Sequence, residues 1–200
     1  MKRKIEKAKF NLLDEYKIVG EYVRGSKKFI YFITGIFFVF LLIGFLVPAP
    51  EFLYDRILEY IRELLEKTEA MSPLELIWFI LSNNVTSTFF IVILGIVLGI
   101  FPVLNAIANG YMLGFVSSIS VQNGGFLTLW KILPHGIFEL PAVFISLGLG
   151  AKLGTFIFQK NKWISFKSYL INSLRAFILV VIPLLIVAGI IEGVIMVLLS

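Results

Sequence analysis

Residues 29–49 read FIYFITGIFFVFLLIGFLVPA, a stretch without a single charge. Wound as an α-helix at about 1.5 Å per residue it covers roughly 31 Å, which matches a hydrocarbon core of about 30 Å. Pro48 and Pro50 cannot continue a helix and set its end. The 28 residues before it are polar, with nine Lys/Arg against four Asp/Glu. That pattern reads as a basic arm followed by an uncleaved signal anchor rather than a cleavable leader.

The rest of the chain repeats the theme. Of 200 residues, 58% are hydrophobic and 16% charged, and the mean hydropathy is +0.93. Soluble domains carry roughly 25% charged residues, and a soluble chain of this size has no means of hiding so much apolar surface. Further apolar runs fall at about 76–101, 103–120, 126–150 and 174–199. The expected fold is therefore an all-α integral membrane protein with about five transmembrane helices. Ser82-Asn83-Asn84 is expected to interrupt the second span and Pro102 to stop it, while Pro134 and Pro141 lie inside the fourth.

Between the first two spans, residues 51–69 (EFLYDRILEYIRELLEKTE) place Phe52, Ile57, Leu58, Ile61, Leu64 and Leu65 at helical spacing with charges opposite. The plain expectation is a solvated helix packing its stripe on the bundle; the other is an interfacial or partner-binding helix. The division expected is a cytoplasmic basic arm at 1–28, a first span at 29–49, an amphipathic extracytoplasmic segment at 50–73 and a membrane domain at 74–200. Residues 50–75 hold three Lys/Arg and seven Asp/Glu, whereas 151–172 holds Lys152, Lys160, Lys162 and Lys167 and no acid. The positive-inside rule then puts the N-terminus inside and, with five spans, the C-terminus outside. The basic flanks suit anionic lipid rather than nucleic acid, and the location expected is the cell membrane.

Cysteine is absent, which excludes disulfides, thiolate metal sites and thiol catalysis. Polar side chains inside apolar spans need a partner or a cavity. Here they are Asn83, Asn84, Asn105, Asn109, His135, Glu139, Arg175 and Glu192. His135, the only histidine, and Glu139 are four apart and share a helix face, flanked by Pro134 and Pro141. Counting inward from each span's start puts Asn109 level with Glu139 and Asn84 level with His135, with Glu192 nearer the outer face. Asn84, Asn109, His135, Glu139 and Glu192 form the candidate polar cluster. A structure-fixing hydrogen-bonded pair, a proton, ion or small-ligand site, and a metal centre on His135, Glu139 and Glu192 are its three readings. Arg175 reads as snorkelling at the inner mouth of the last span. Gly95 and Gly99, and the four-residue series Ala106, Gly110, Gly114, Ser118, read as close helix packing, or else as a contact between two copies. There is no HExxH, P-loop or GxSxG, no cofactor is expected, and no catalytic residue is assigned.

Asn83-Asn84 before a Gly-rich apolar helix, Asn109-Gly110-Tyr111-Met112-Leu113-Gly114, PHGIFELPA at 134–142 and Ile191-Glu192-Gly193 together resemble the stage II sporulation protein M family. The resemblance spans about 75–197 and extends loosely through the first span. It implies a polytopic helical membrane protein, with Asn84, Asn109, Gly110, Gly114, His135, Glu139 and Glu192 at the matching positions. In spore formers the namesake acts with two peptidoglycan-degrading partners and is taken as their membrane scaffold. The expectation here is thus a scaffold or anchor with membrane or envelope protein partners. Solute, ion or lipid handling through the polar cluster is the alternative, and an intramembrane metal-assisted enzyme the third.

Overall fold

The computed structural model describes the backbone of residues 11–131 and 133–199, with side chains other than those of residues 73, 130–138 and 192–199. Among these residues eight α-helices follow in order: α1 (Leu12–Gly25), α2 (Lys27–Leu46), α3 (Glu51–Glu69), α4 (Pro73–Leu94), α5 (Ile100–Gly124), α6 (Leu133–Gly154), α7 (Lys162–Ala176) and α8 (Ile182–Leu199). Short 3-10 turns cover Phe126–Lys131 and Thr155–Phe158, and a five-residue π segment, Phe177–Val181, joins α7 to α8. Among the described residues there is no strand. Five stretches of the described residues are long and apolar enough to cross a membrane: Lys27–Leu46, Leu74–Leu94, Ile100–Gly124, Glu139–Phe158 and Lys162–Ile191.

Local chemistry explains the boundaries. Ser72 and Glu75 form a reciprocal capping box that starts α4 behind Pro73. Through Ser82-Asn83-Asn84, where a break was expected, α4 runs uninterrupted. Ser82 Oγ donates to the Trp78 carbonyl at 2.7 Å and Thr88 Oγ1 to that of Asn84, so these polar groups are satisfied by their own helix. Nor does Pro102 stop a span. It sits in the first turn of α5, where no intrahelical N–H partner is required. The actual break is the turn at 95–99, where Leu98 (φ 56°) and Gly99 (φ 69°) take the left-handed conformation. Near the C-terminus, Pro183 has no N–H to offer the Leu179 carbonyl, and the helix widens into the π segment just before it.

The α6 helix is the centre of the bundle, touching α2, α4, α5, α7 and α8. Residues 146–151, 153 and 154 are all buried, because Ser146, Gly148, Gly150 and Gly154 leave room for neighbouring backbones. A Cβ on Gly148 would meet the Ile30 backbone of α2, one on Gly150 would meet Ile91 and Val92 of α4, and one on Gly154 would strike the 95–99 turn. A second seam joins α2 to α5, where Gly110 faces the Phe37 backbone, Gly114 faces Leu41 and Phe45, and Gly44 faces Tyr111. Ile33, Phe37, Ala106, Leu147 and Ala151 fill the space between the seams. On the other flank, Val92, Ala142, Phe177, Val181 and Leu185 tie α4 and α8 to α6.

Two segments depart from a plain bundle. Most of the described part of the arm is the helix α1, packed on α7 through Val19, which is buried with Leu149 and Ala176. In α3 only Ile57 is buried; Phe52 is 72% exposed and Leu65 62%. Its first turns touch the bundle through Tyr54 against Phe115, with ring centroids 5.4 Å apart, and its last through Lys67 over the Phe79 ring.

Candidate functional site

Helix register places the intramembrane polar residues. Parallel helices α4 and α6 meet with Gly150 beside Ile91 and Val92, so Asn84 is level with residue 142. It is about one turn from Glu139 and about two from His135. Gly189 of α8 faces Leu81 of α4, which puts residue 192 level with residues 78 and 135. Pro102 of the antiparallel helix α5 meets Gly150 directly, so Asn109 is level with residue 143, the height of Asn84. The result is a staircase from the far end inward: residues 135 and 192, then Glu139, then Asn84 and Asn109 together. Successive steps are about 5 Å. This replaces the pairing by depth expected from sequence counting, which treated every span as starting at the same height.

Three of the four carrier helices, α4, α6 and α8, pack on one another. Glu139 is half-buried on α6 and Asn84 half-buried on α4. Asn109 is different: exposed on α5, it donates from Nδ2 to the Asn105 carbonyl at 3.0 Å and so binds its own helix. The side chains of His135 and Glu192 lie outside the described residues. Among the described residues no three His, Asp or Glu side chains gather closely enough to hold a metal ion.

The small residues Gly95, Ala106, Gly110 and Gly114 all lie at helix seams, Ala106 fully buried. Gly99 lies not within α4 but in the turn after it, 3.2 Å (as a Cβ distance) from Ala151 Cα. Arg175 Nε lies 3.4 Å from Glu15 Oε2 of α1 and so joins the arm to the last span.

A second polar site was not apparent from the sequence. At the arm end Lys152, half-buried in the last turn of α6, donates to Ser26 Oγ at 3.0 Å. Its ammonium lies 3.8 Å from the Tyr22 ring centroid and 5.5 Å from that of Tyr169. Ser26, fully buried between α1 and α2, donates in turn to the Tyr22 carbonyl at 2.7 Å. The Tyr22 hydroxyl donates to the Tyr169 carbonyl at 3.1 Å and meets Ser173 Oγ at 3.0 Å. Burial pushes the Tyr22 phenol up to about 12, opposed by the Ser173 hydrogen bond. The available signal was Lys152 itself, a lone charge at the end of a Gly-rich apolar run; counting it into the basic loop concealed it.

Fold and site define a class, an all-α protein with five helices fit to cross a bilayer, knit by glycine seams and carrying polar residues inside the helices. Comparison with known proteins makes this specific. The family model of Stage II sporulation protein M matches residues 30–195, and the chain belongs to that family. It is similar to the uncharacterized protein MJ0706 of Methanocaldococcus jannaschii, at 31% identity over 181 residues, 84% of this chain and 81% of that one. Uncharacterized protein MJ0793 of the same organism is 40% identical over 76 residues, 37% of this chain and 43% of its own length. No solved structure matches at a significant level.

Proposed function

We propose that the protein is a multi-pass cell-membrane scaffold for envelope proteins, with its N-terminus cytoplasmic and α3 as the extracytoplasmic docking element. The observation that carries this reading is the uncovered stripe of α3: Phe52, Leu64 and Leu65 are exposed while Ile57 alone is buried. An amphipathic helix that buries only Ile57 of its apolar stripe is suited to laying its free face into a partner's groove. Six Asp/Glu and three Lys/Arg in 51–69 give that helix an acidic rim, which calls for a partner with a basic border and disfavours anionic lipid. The test is photo-crosslinking from Phe52 and Leu65 in the full-length protein in its native membrane, with Ile57 as the buried control. The scaffold reading expects one discrete protein adduct from both exposed positions, unchanged by Glu139→Gln. Adducts to lipid alone at both positions would refute it.

A second reading has its own observation, the staircase of residues 135, 139 and 84 from the far end inward, on the mutually packed helices α4 and α6. Ionisable groups inside a membrane are functional candidates by default, and this order suits passage of a proton, ion or small solute. It expects Glu139→Gln to fold normally and abolish the cellular role, leaving α3 crosslinks irrelevant to that loss.

A further inference from the structure

We propose that the recess around Lys152, bounded by α1, α6 and α7, binds the phosphate of an anionic phospholipid at the arm end of the bundle. The case starts with an unbalanced charge. Among the described residues no carboxylate lies within ion-pair distance of Lys152, whose half-buried ammonium has only Ser26 Oγ and the faces of two tyrosines. Ring faces return part of the cost of withdrawing an ammonium from water, but they do not neutralise it. Ser26 takes one of three N–H groups. The Tyr22 hydroxyl is committed to Tyr169 and Ser173, so the remaining ammonium hydrogens are the donors left for an anion.

Further cations border the recess in sequence. Arg24, Lys27 and Lys28, all exposed, flank Ser26, and residues 151–172 contain Lys160, Lys162 and Lys167 beside Lys152, with no acid. A basic recess between helices at a membrane surface is the arrangement that takes lipid headgroups.

The neighbouring apolar groups choose a lipid over a free anion. Contacts run in opposite order along α1 and α7: Tyr22 with Tyr169 and Ser173, Val19 with Ala176, Glu15 with Arg175. The start of α1 therefore lies alongside the part of the last span where the apolar run begins. There Leu13 is 71% exposed, and Leu12 and Tyr16 are also uncovered. The helix thus carries uncovered apolar side chains beside the charged groups Asp14, Glu15 and Lys17 of the same turns, the mixed surface of an interfacial helix. Trp163, exposed and stacked on Phe166 with Lys167 over its ring, adds an aromatic at the same end.

The test uses the full chain purified in a neutral detergent. Retention of phosphatidylglycerol and of phosphatidylcholine is measured by native mass spectrometry, and the melting temperature with each lipid and with inorganic phosphate. Wild type is expected to keep phosphatidylglycerol, to be stabilised by it and not by the other two, and to lose about tenfold in affinity with Lys152→Met. Lys152→Arg should keep most of the binding. Equal binding of both lipids by wild type would overturn the proposal, as would phosphatidylglycerol binding unchanged by Lys152→Met. Stabilisation by inorganic phosphate alone would overturn the choice of a lipid. Should Lys152→Met not fold, the wild-type comparison of the two lipids and phosphate decides by itself.

Discussion

Substituting Gly114 by Ala adds one methyl group where two backbones touch. Its Cβ would lie 2.9 Å from Leu41 C and from Phe45 N, and nearer still to the Leu41 carbonyl oxygen. Backbone atoms cannot rotate aside, and ordinary contact starts near 3.4 Å, so α2 and α5 must part by on the order of 1 Å. A gap of that size forfeits up to about half of the dispersion energy across the facing atoms. Overpacking of this kind costs about 3 kcal/mol at the upper end, offset by about 1 kcal/mol because Ala is the better helix former. The net loss is about 2 kcal/mol. Gly35 on the facing helix α2 is the control, since nothing lies within 4 Å of its Cβ position, and Gly35→Ala should gain up to about 1 kcal/mol. The two variants therefore differ by about 3 kcal/mol, or about 6–12 °C in melting temperature for a chain of this size. Tryptophan-monitored thermal unfolding in detergent measures this directly. If Gly114→Ala melts with wild type, or Gly35→Ala falls as far as Gly114→Ala, the glycine seam is not what sets the α2–α5 distance.

Three further outcomes are expected. The raised phenol of Tyr22 means that the unfolded chain ionises first: stability from this group is complete below pH 10 and is lost as pH rises from its ordinary value of 10 to about 12. The loss is about 3 kcal/mol, and Tyr22→Phe should flatten that part of a stability–pH profile. In α3, Ile57→Ala should lower the melting temperature through loss of about 2 kcal/mol, whereas Leu65→Ala should leave it within about 0.5 kcal/mol of wild type, as read by the same unfolding assay. Removing the partly exposed pair with Arg175→Gln should cost less than about 1 kcal/mol, and the difference from wild type should shrink in high salt.

The chain by itself determined the class of fold. Uncharged runs such as 29–49, at a length equal to the hydrocarbon thickness, leave a helix as the only economical conformation in lipid, because every backbone N–H and C=O must then be satisfied within the segment. The small residues of α5 were equally legible, since a four-residue period of Ala106, Gly110 and Gly114 has little use apart from close packing. Helix ends were not, because Pro102 stops or starts a helix according to which turn it occupies, and Ser82 and Thr88 break or sustain one according to where their hydroxyls bond. Relative height along the bundle was decided only by tertiary structure. Counting from the start of each span assigns Asn109 to the level of Glu139, but the contact of Pro102 with Gly150 sets it about one turn away, level with Asn84. Likewise Lys152 reads as one more loop cation until α1 folds back along α7 and brings Tyr22 and Ser26 to it. Those partners lie more than 120 residues away in the chain, and no local pattern encodes a meeting that only packing creates.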